Sequence, residues 1–185
     1  MIIGVTGRVG VGKTTAVLHI QENYQCTVID LDLIGHNLLK LPRIKESCIE
    51  LFGQKIISKK NEIDRHKLGQ IVFNNQNQLN VLNQLIHPEI KLSVEEIINK
   101  QVNSLVIIVG ALIDEIGIRT YCDKIIVIDA DDEKITRNIG EKYGKISKNQ
   151  RPKDDYNQNA DIVVFNNYTS NFKKDILSEL KKWIS

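Results

Sequence analysis

Cysteine is scarce in this chain of 185 residues: the three present, Cys26, Cys48 and Cys122, are odd in number, far apart and without a Cys-x-x-Cys pair. That argues against a disulfide framework or a zinc site and for reduced, packed thiols. The four histidines, His19, His36, His66 and His87, likewise lack the spacing of metal ligands. Nowhere do about eighteen apolar residues run together, and residues 1–20 hold no long apolar segment behind a charged start. Neither membrane spanning nor export is indicated, and the chain reads as cytosolic. Excess charge is missing too. Lys and Arg number 25 against 23 Asp and Glu, a net charge of +2 without a basic tail, so nucleic acid is not a favoured partner. No internal repeat or low-complexity stretch is visible.

What is present is one domain's worth of material, with room for small subdomains inside it. The organising stretch comes first. Ile2-Ile3-Gly4-Val5 is a short apolar run with the character of a buried strand, and it leads into Gly7-Arg8-Val9-Gly10-Val11-Gly12-Lys13-Thr14 before helix-compatible residues begin. Glycines at 7, 10 and 12 let the backbone curl with its N–H groups inward, and the following helix adds its positive end, so the segment is suited to wrapping phosphate. Lys13 then reaches the β- and γ-phosphates as a point charge, while the Thr14 hydroxyl is placed to ligate a bridging Mg²⁺.

Val17, Leu18 and Ile20 carry a helix on to Cys26-Thr27-Val28-Ile29, a second strand, which makes a right-handed βαβ opening. Asp30 and Asp32 follow at the edge where ligands of open α/β sheets bind. They are suited to holding Mg²⁺ or to taking the proton of an attacking hydroxyl; the competing reading is that one merely caps the helix starting near Leu31. From Leu33 to Asn103 the spacing predicts helices at Ile34 to Leu39, Ile44 to Phe52, Lys67 to Phe73, Leu79 to Leu85 and Ile90 to Val102, too much for a plain crossover. This insertion is expected to form a second lobe for a phosphoryl acceptor. Asp64 reads as an N-cap and His87-Pro88 as a polar helix start or the close of a turn. Ser104 to Val109 and Lys124 to Ile128 are buried strands, Leu112 to Thr120 a short helix carrying Asp114 and Glu115, and 131–144 a helix presenting Lys134, Arg137 and Lys142. Gly140, Gly144 and Pro152 would let that cationic segment hinge over a nucleotide. Ile162 to Phe165 is a last strand, and Phe172 to Ile184 a closing amphipathic helix.

The order of motifs resembles the dephospho-coenzyme A kinases. Val5-Thr6-Gly7 and Gly12-Lys13-Thr14-Thr15, Val28-Ile29-Asp30-Leu31-Asp32, Ile63-Asp64-Arg65-His66-Lys67-Leu68 with Val72-Phe73, and His87-Pro88-Glu89-Ile90 carry the likeness, joined by Leu112-Ile113-Asp114-Glu115, Gln150-Arg151-Pro152 and Ala160-Asp161 with Asn166-Asn167. Arg8 and Val11 replace a usual Gly and Ser, Ala111 a usual Pro, Tyr168 a usual Gly, and the lid is short, with Lys145 or Lys148 offered in place of an arginine that is Ile146 here. The resemblance implies an α/β three-layer P-loop kinase fold, a five-stranded parallel sheet flanked by helices. Its core would be 1–32, 104–135 and 160–185, its helical acceptor-binding subdomain 33–103 and its lid 136–159. It also implies ATP-dependent phosphorylation of the ribose 3′-hydroxyl of dephospho-coenzyme A. Gly10, Val11, Gly12, Lys13, Thr14 and Thr15 would cradle ATP, Thr14 and Asp30 hold Mg²⁺, and Asp32, with Asp30 as the alternative, handle the hydroxyl proton. Arg137 would brace the migrating charge beside Lys13, and Asp32, Arg65, His87 and Glu115 would meet the acceptor. A monomer is favoured. Another small-metabolite or nucleotide kinase, or a nucleotide-binding regulatory protein without turnover, is the alternative.

Overall fold

Five short apolar segments pair side by side to make the frame. The computed structural model describes residues 1–101, 104–140 and 150–184. They fall into two compact units, Met1–Asp30 with Ile97–Ser185, and Leu31–Glu96. In the first, strands β1 (Ile2–Thr6), β2 (Cys26–Asp30), β3 (Leu105–Val109), β4 (Lys124–Asp129) and β5 (Ile162–Phe165) form one sheet in the order β2-β3-β1-β4-β5. Every pairing is parallel. Such a sheet is covered on both faces, which is why β3 and β4 read as unbroken apolar runs; Ile107, Ile108, Ile125 and Ile126 are fully buried. Because β1 is central, with β3 on one side and β4 on the other, its carboxyl end lies where the strand order reverses, the place at which open α/β sheets bind ligands.

Helices α1 (Lys13–Gln21), α6 (Asp132–Ile139), α7 (Lys153–Asn157) and α8 (Asn171–Ile184) belong to the same unit. Ala16, Val17 and Ile20 of α1 and Phe172, Ile176 and Leu180 of α8 share one buried cluster with Ile3 and Val5 of β1. The four-residue spacing along α8 is the apolar stripe that the sequence predicts.

The second unit is built on α2 (Leu31–Leu38), α3 (Pro42–Phe52), α4 (Arg65–Val72) and most of α5 (Gln76–Asn99). The Asp64 side chain caps α4 as expected, accepting from the amides of His66 at 3.0 Å and Lys67 at 3.2 Å. Arg43 of α3 grips Glu89 of α5 with two hydrogen bonds.

Three expectations are corrected. The two helices read on either side of His87-Pro88 are one helix of 24 residues with Pro88 inside it. A proline costs one hydrogen bond there, but buried Ile86, Ile90 and Val94 keep the same four-residue stripe across it, and that packing outweighs the local break. Leu112 to Thr120 is no helix. It turns, takes Gly117 through φ 78, and becomes a short 3₁₀ segment at Ile118–Tyr121. The helix read over 131–144 ends at Ile139, with Gly140 at φ 68. Lys142, Gly144, Lys145, Ile146 and Lys148 lie outside the described residues, as does the middle of the segment read as a lid, 141–149. Among the described residues no helix is long and apolar enough to cross a membrane.

Candidate active site

The segment after β1 folds into a cradle whose shape only glycine permits at its corners. Gly7, Gly10 and Gly12 take φ of 138, 79 and 102. A Cβ on Gly12 would stand closer than 3.0 Å to the side-chain amide of Asn166. Gly12 is also the N-cap of α1, and no side chain caps that helix. Its leading amides are therefore offered to an anion, with the positive end of the helix behind them. The Lys13 ammonium lies within the curve of its own loop, donating to the carbonyls of Gly7 at 2.8 Å and Arg8 at 2.9 Å. Thr14 and Thr15 are exposed on the first turn of α1.

Asp30 ends β2 in register with Val109 of β3, which is in turn in register with Val5 of β1. Its exposed carboxylate thus stands on the same edge of the sheet as the start of the loop. A hydroxyl and a carboxylate are hard oxygen ligands, and Mg²⁺ commonly takes only one or two from protein, with phosphate and water supplying the rest. Among the described residues no cluster of three or more His, Cys, Asp or Glu could hold a metal alone. The donor set fits a cation that arrives with a nucleotide.

The cradle is buttressed from outside. Arg8, only 8% exposed, sends Nη2 to Asp129 Oδ1 at 3.0 Å and to the Ala130 carbonyl at 2.9 Å, and Nη1 to Asp132. Lys153 meets the other oxygen of Asp129 at 2.7 Å. Gln150 Oε1 accepts from the Val9 amide at 2.9 Å. Buried Asn166 donates to the Val11 carbonyl at 2.9 Å, and the Tyr168 hydroxyl to the Gly10 carbonyl at 2.8 Å. Removing the Arg8 guanidinium leaves Asp129, 4% exposed, with Lys153 as its remaining cation. Arg8→Leu is therefore expected to cost about 2–3 kcal/mol. Urea unfolding checks this through a lower midpoint at unchanged slope.

Beside the loop a cleft of about 420 Å³ is lined by Thr15, His19, Asn138, Tyr168, Thr169 and Phe172, together with loop glycines and Asn166. Its size and mixed aromatic and amide lining suit a nucleoside. In the turn after β3, Glu115 lies 2.8 Å from Arg151 Nε, and Asp114 meets Arg119 at 2.7 Å and Arg151 at 2.8 Å. Burial pushes the Glu115 carboxyl up, with Arg151 offsetting it only in part. Burial would raise Asp114 as well, but Arg119 and Arg151 outweigh it and hold that carboxyl below its usual range. Arg151 also lies over the ring of Tyr156, 4.3 Å from its centre. Arg137 is exposed on α6, 3.8 Å from Glu133.

In the second unit, Asp32 is exposed in the first turn of α2, which follows β2 with no intervening loop. Arg65, at the start of α4, lines a cleft of about 560 Å³ with His36, Asn37, Lys40, Lys45 and Leu33 among others. This cleft is basic on balance. His87 does not line it; it sits half-buried in α5, where burial holds its imidazole below the usual pKa. The predicted residues Gly10, Val11, Gly12, Lys13, Thr14, Thr15 and Asp30 thus gather at one sheet edge, with Glu115 in the turn after β3. Asp129 and the roles of Arg8, Asn166 and Tyr168 as buttresses were not read from the sequence. Their only signal there is position, after β4 and β5, since nothing in the residue types reveals burial.

A family model described as dephospho-CoA kinase matches residues 1–171. A curated dephospho-CoA kinase of Fusobacterium nucleatum is 36% identical over 177 residues, covering 90% of each chain. A crystal structure from Thermus thermophilus superposes with TM-score 0.85 at 22% identity, covering 100% of this chain and 98% of that one. A dephospho-CoA kinase from Campylobacter jejuni gives TM-score 0.69 at 20% identity over 98% and 96% of the two chains. These two structural likenesses speak for the fold.

Proposed function

Since the chain belongs to the dephospho-CoA kinase family, it phosphorylates the ribose 3′-hydroxyl of dephospho-CoA with ATP, the last step of coenzyme A synthesis, and we propose how its residues do so. The observation that carries the proposal is the glycine-cornered cradle closed around Lys13 at the carboxyl edge of the sheet. In this reading the amides of Val11, Gly12, Lys13 and Thr14 and the Lys13 ammonium hold the ATP phosphates, and Thr15 with the adjoining cleft holds the nucleoside. Phosphoryl transfer asks the protein for positioning and charge neutralisation more than for covalent chemistry. Thr14 and Asp30 would hold Mg²⁺, which when bound neutralises charge on the migrating group.

Asp32, with Asp30 as the alternative, accepts the proton of the attacking hydroxyl. Arg137 braces the charge that develops on the transferred group. The helical unit takes the acceptor: the basic cleft around Arg65, Lys40 and Lys45 suits the acceptor's phosphates, and a neutral His87 suits an uncharged part of it. Glu115, paired to Arg151, offers a carboxylate for the acceptor's sugar. The three free thiols, Cys26, Cys48 and Cys122, agree with a reducing, cytoplasmic compartment, and we take the working form to be a monomer.

The test is coenzyme A formation from ATP and dephospho-CoA by the purified protein, beside Asp32→Asn. The amide keeps the size and loses the basicity, so kcat is expected to fall by roughly a hundredfold to a thousandfold with affinity for an ATP analogue retained. ATP consumption that follows shikimate, gluconate or a nucleoside monophosphate in place of dephospho-CoA would overturn the substrate, and full activity in Asp32→Asn would overturn the base.

A further inference from the structure

The turn between β5 and α8 holds Tyr168, a buttress of the phosphate loop whose effect on the loop amides the chemistry above does not use. Tyr168 stands at φ 57, a left-handed conformation that carries a cost for any residue with a Cβ. Its contacts explain why the conformation persists. The hydroxyl donates to the Gly10 carbonyl at 2.8 Å, and Asn138 of α6 lines the same cleft. The Tyr168 backbone N–H donates to Asn166 Oδ1 at 2.7 Å, and Asn166 Nδ2 donates to the Val11 carbonyl at 2.9 Å. One short segment therefore grips two successive carbonyls of the phosphate loop.

The consequence follows from the planarity of the peptide group. In a trans peptide the C=O of one residue and the N–H of the next point in opposite directions. Drawing the Gly10 carbonyl outward turns the Val11 amide inward, and drawing the Val11 carbonyl outward does the same for Gly12. We propose that Tyr168 is a positioning residue of the nucleotide site: its hydroxyl aims the Val11 amide at the phosphates. This rests on the reading that the loop binds ATP.

Two substitutions separate the hydroxyl from the ring. Tyr168→Phe leaves an apolar ring against the part-buried Gly10 carbonyl and takes away its donor, and an acceptor that the ring screens and does not pair is the more damaging loss. Tyr168→Gly removes the ring, relieves the left-handed strain and lets water reach the same carbonyl. Calorimetric titration with a non-hydrolysable Mg-ATP analogue is therefore expected to give a Kd about tenfold higher for Tyr168→Phe and only about threefold higher for Tyr168→Gly. The KM for dephospho-CoA should stay within about twofold of the parent in both.

Unchanged analogue affinity in Tyr168→Phe, or a Gly variant weaker than the Phe variant, overturns the proposal, since the ring would then matter and the hydroxyl would not. Equal losses for both substrates with a lowered melting temperature overturn it as well. A parent protein that makes no coenzyme A would remove the acceptor assignment, while the order of analogue affinities would still decide on Tyr168.

Discussion

Lys13→Ala is expected to lower kcat/KM for ATP by about 10⁴-fold, the range seen when a cation that meets the transferring phosphoryl group is removed. The cost to the fold should be small, because the Gly7 and Arg8 carbonyls that Nζ meets belong to a loop opening on the nucleotide site, where water can take its place. A melting temperature within about 2 °C of the parent, beside the kinetic loss, would show that charge and not structure was removed. Lys13→Arg should fail to restore the rate, because a planar guanidinium does not replace a compact ammonium inside a curled loop. Turnover untouched by Lys13→Ala would mean that the glycine cradle is not the catalytic centre.

The second large effect lies one turn earlier. Gly7 takes φ 138, and a Cβ there would stand closer than 3.0 Å to the Ile128 carbonyl oxygen of β4, a backbone atom that no rotamer change can move. Backbone strain and clash add, so Gly7→Ala is expected to destabilise by about 4 kcal/mol or more. Gly53→Ala is the companion measurement. Gly53 also has positive φ, at 82 with ψ 168, but nothing stands within 4 Å of its Cβ position, so the strain acts alone and costs about 1–3 kcal/mol. Thermal unfolding of both variants reads the difference. If the two lose the same amount, the loop is not pressed against β4 and the cradle's fixed shape has another origin.

The sheet was legible because burial on both faces forces β3 and β4 into runs of Val and Ile that nothing else in the chain imitates. The phosphate loop was legible because its glycines stand where left-handed turns require them. Asp64 betrayed a helix start by its own chemistry. What escaped the sequence depends on partners far along the chain. Pro88 reads as a break until the stripe of Ile86, Ile90 and Val94 is seen to be buried on one face. Arg8 reads as a tolerated departure from glycine, since only the fold brings Asp129 and Asp132 to it across more than a hundred residues. Tyr168 reads as another departure, and its φ of 57 supplies the reason a glycine is usual there.

Helix α1 opens on Gly12, a residue with no side chain to close the front of the helix. Many helices carry a serine, threonine or aspartate for that purpose; on the proposed reading the oxygens of bound ATP would be the missing cap. Ligand and folded state would then be linked by mass action, so saturating Mg-ATP is expected to raise the melting temperature.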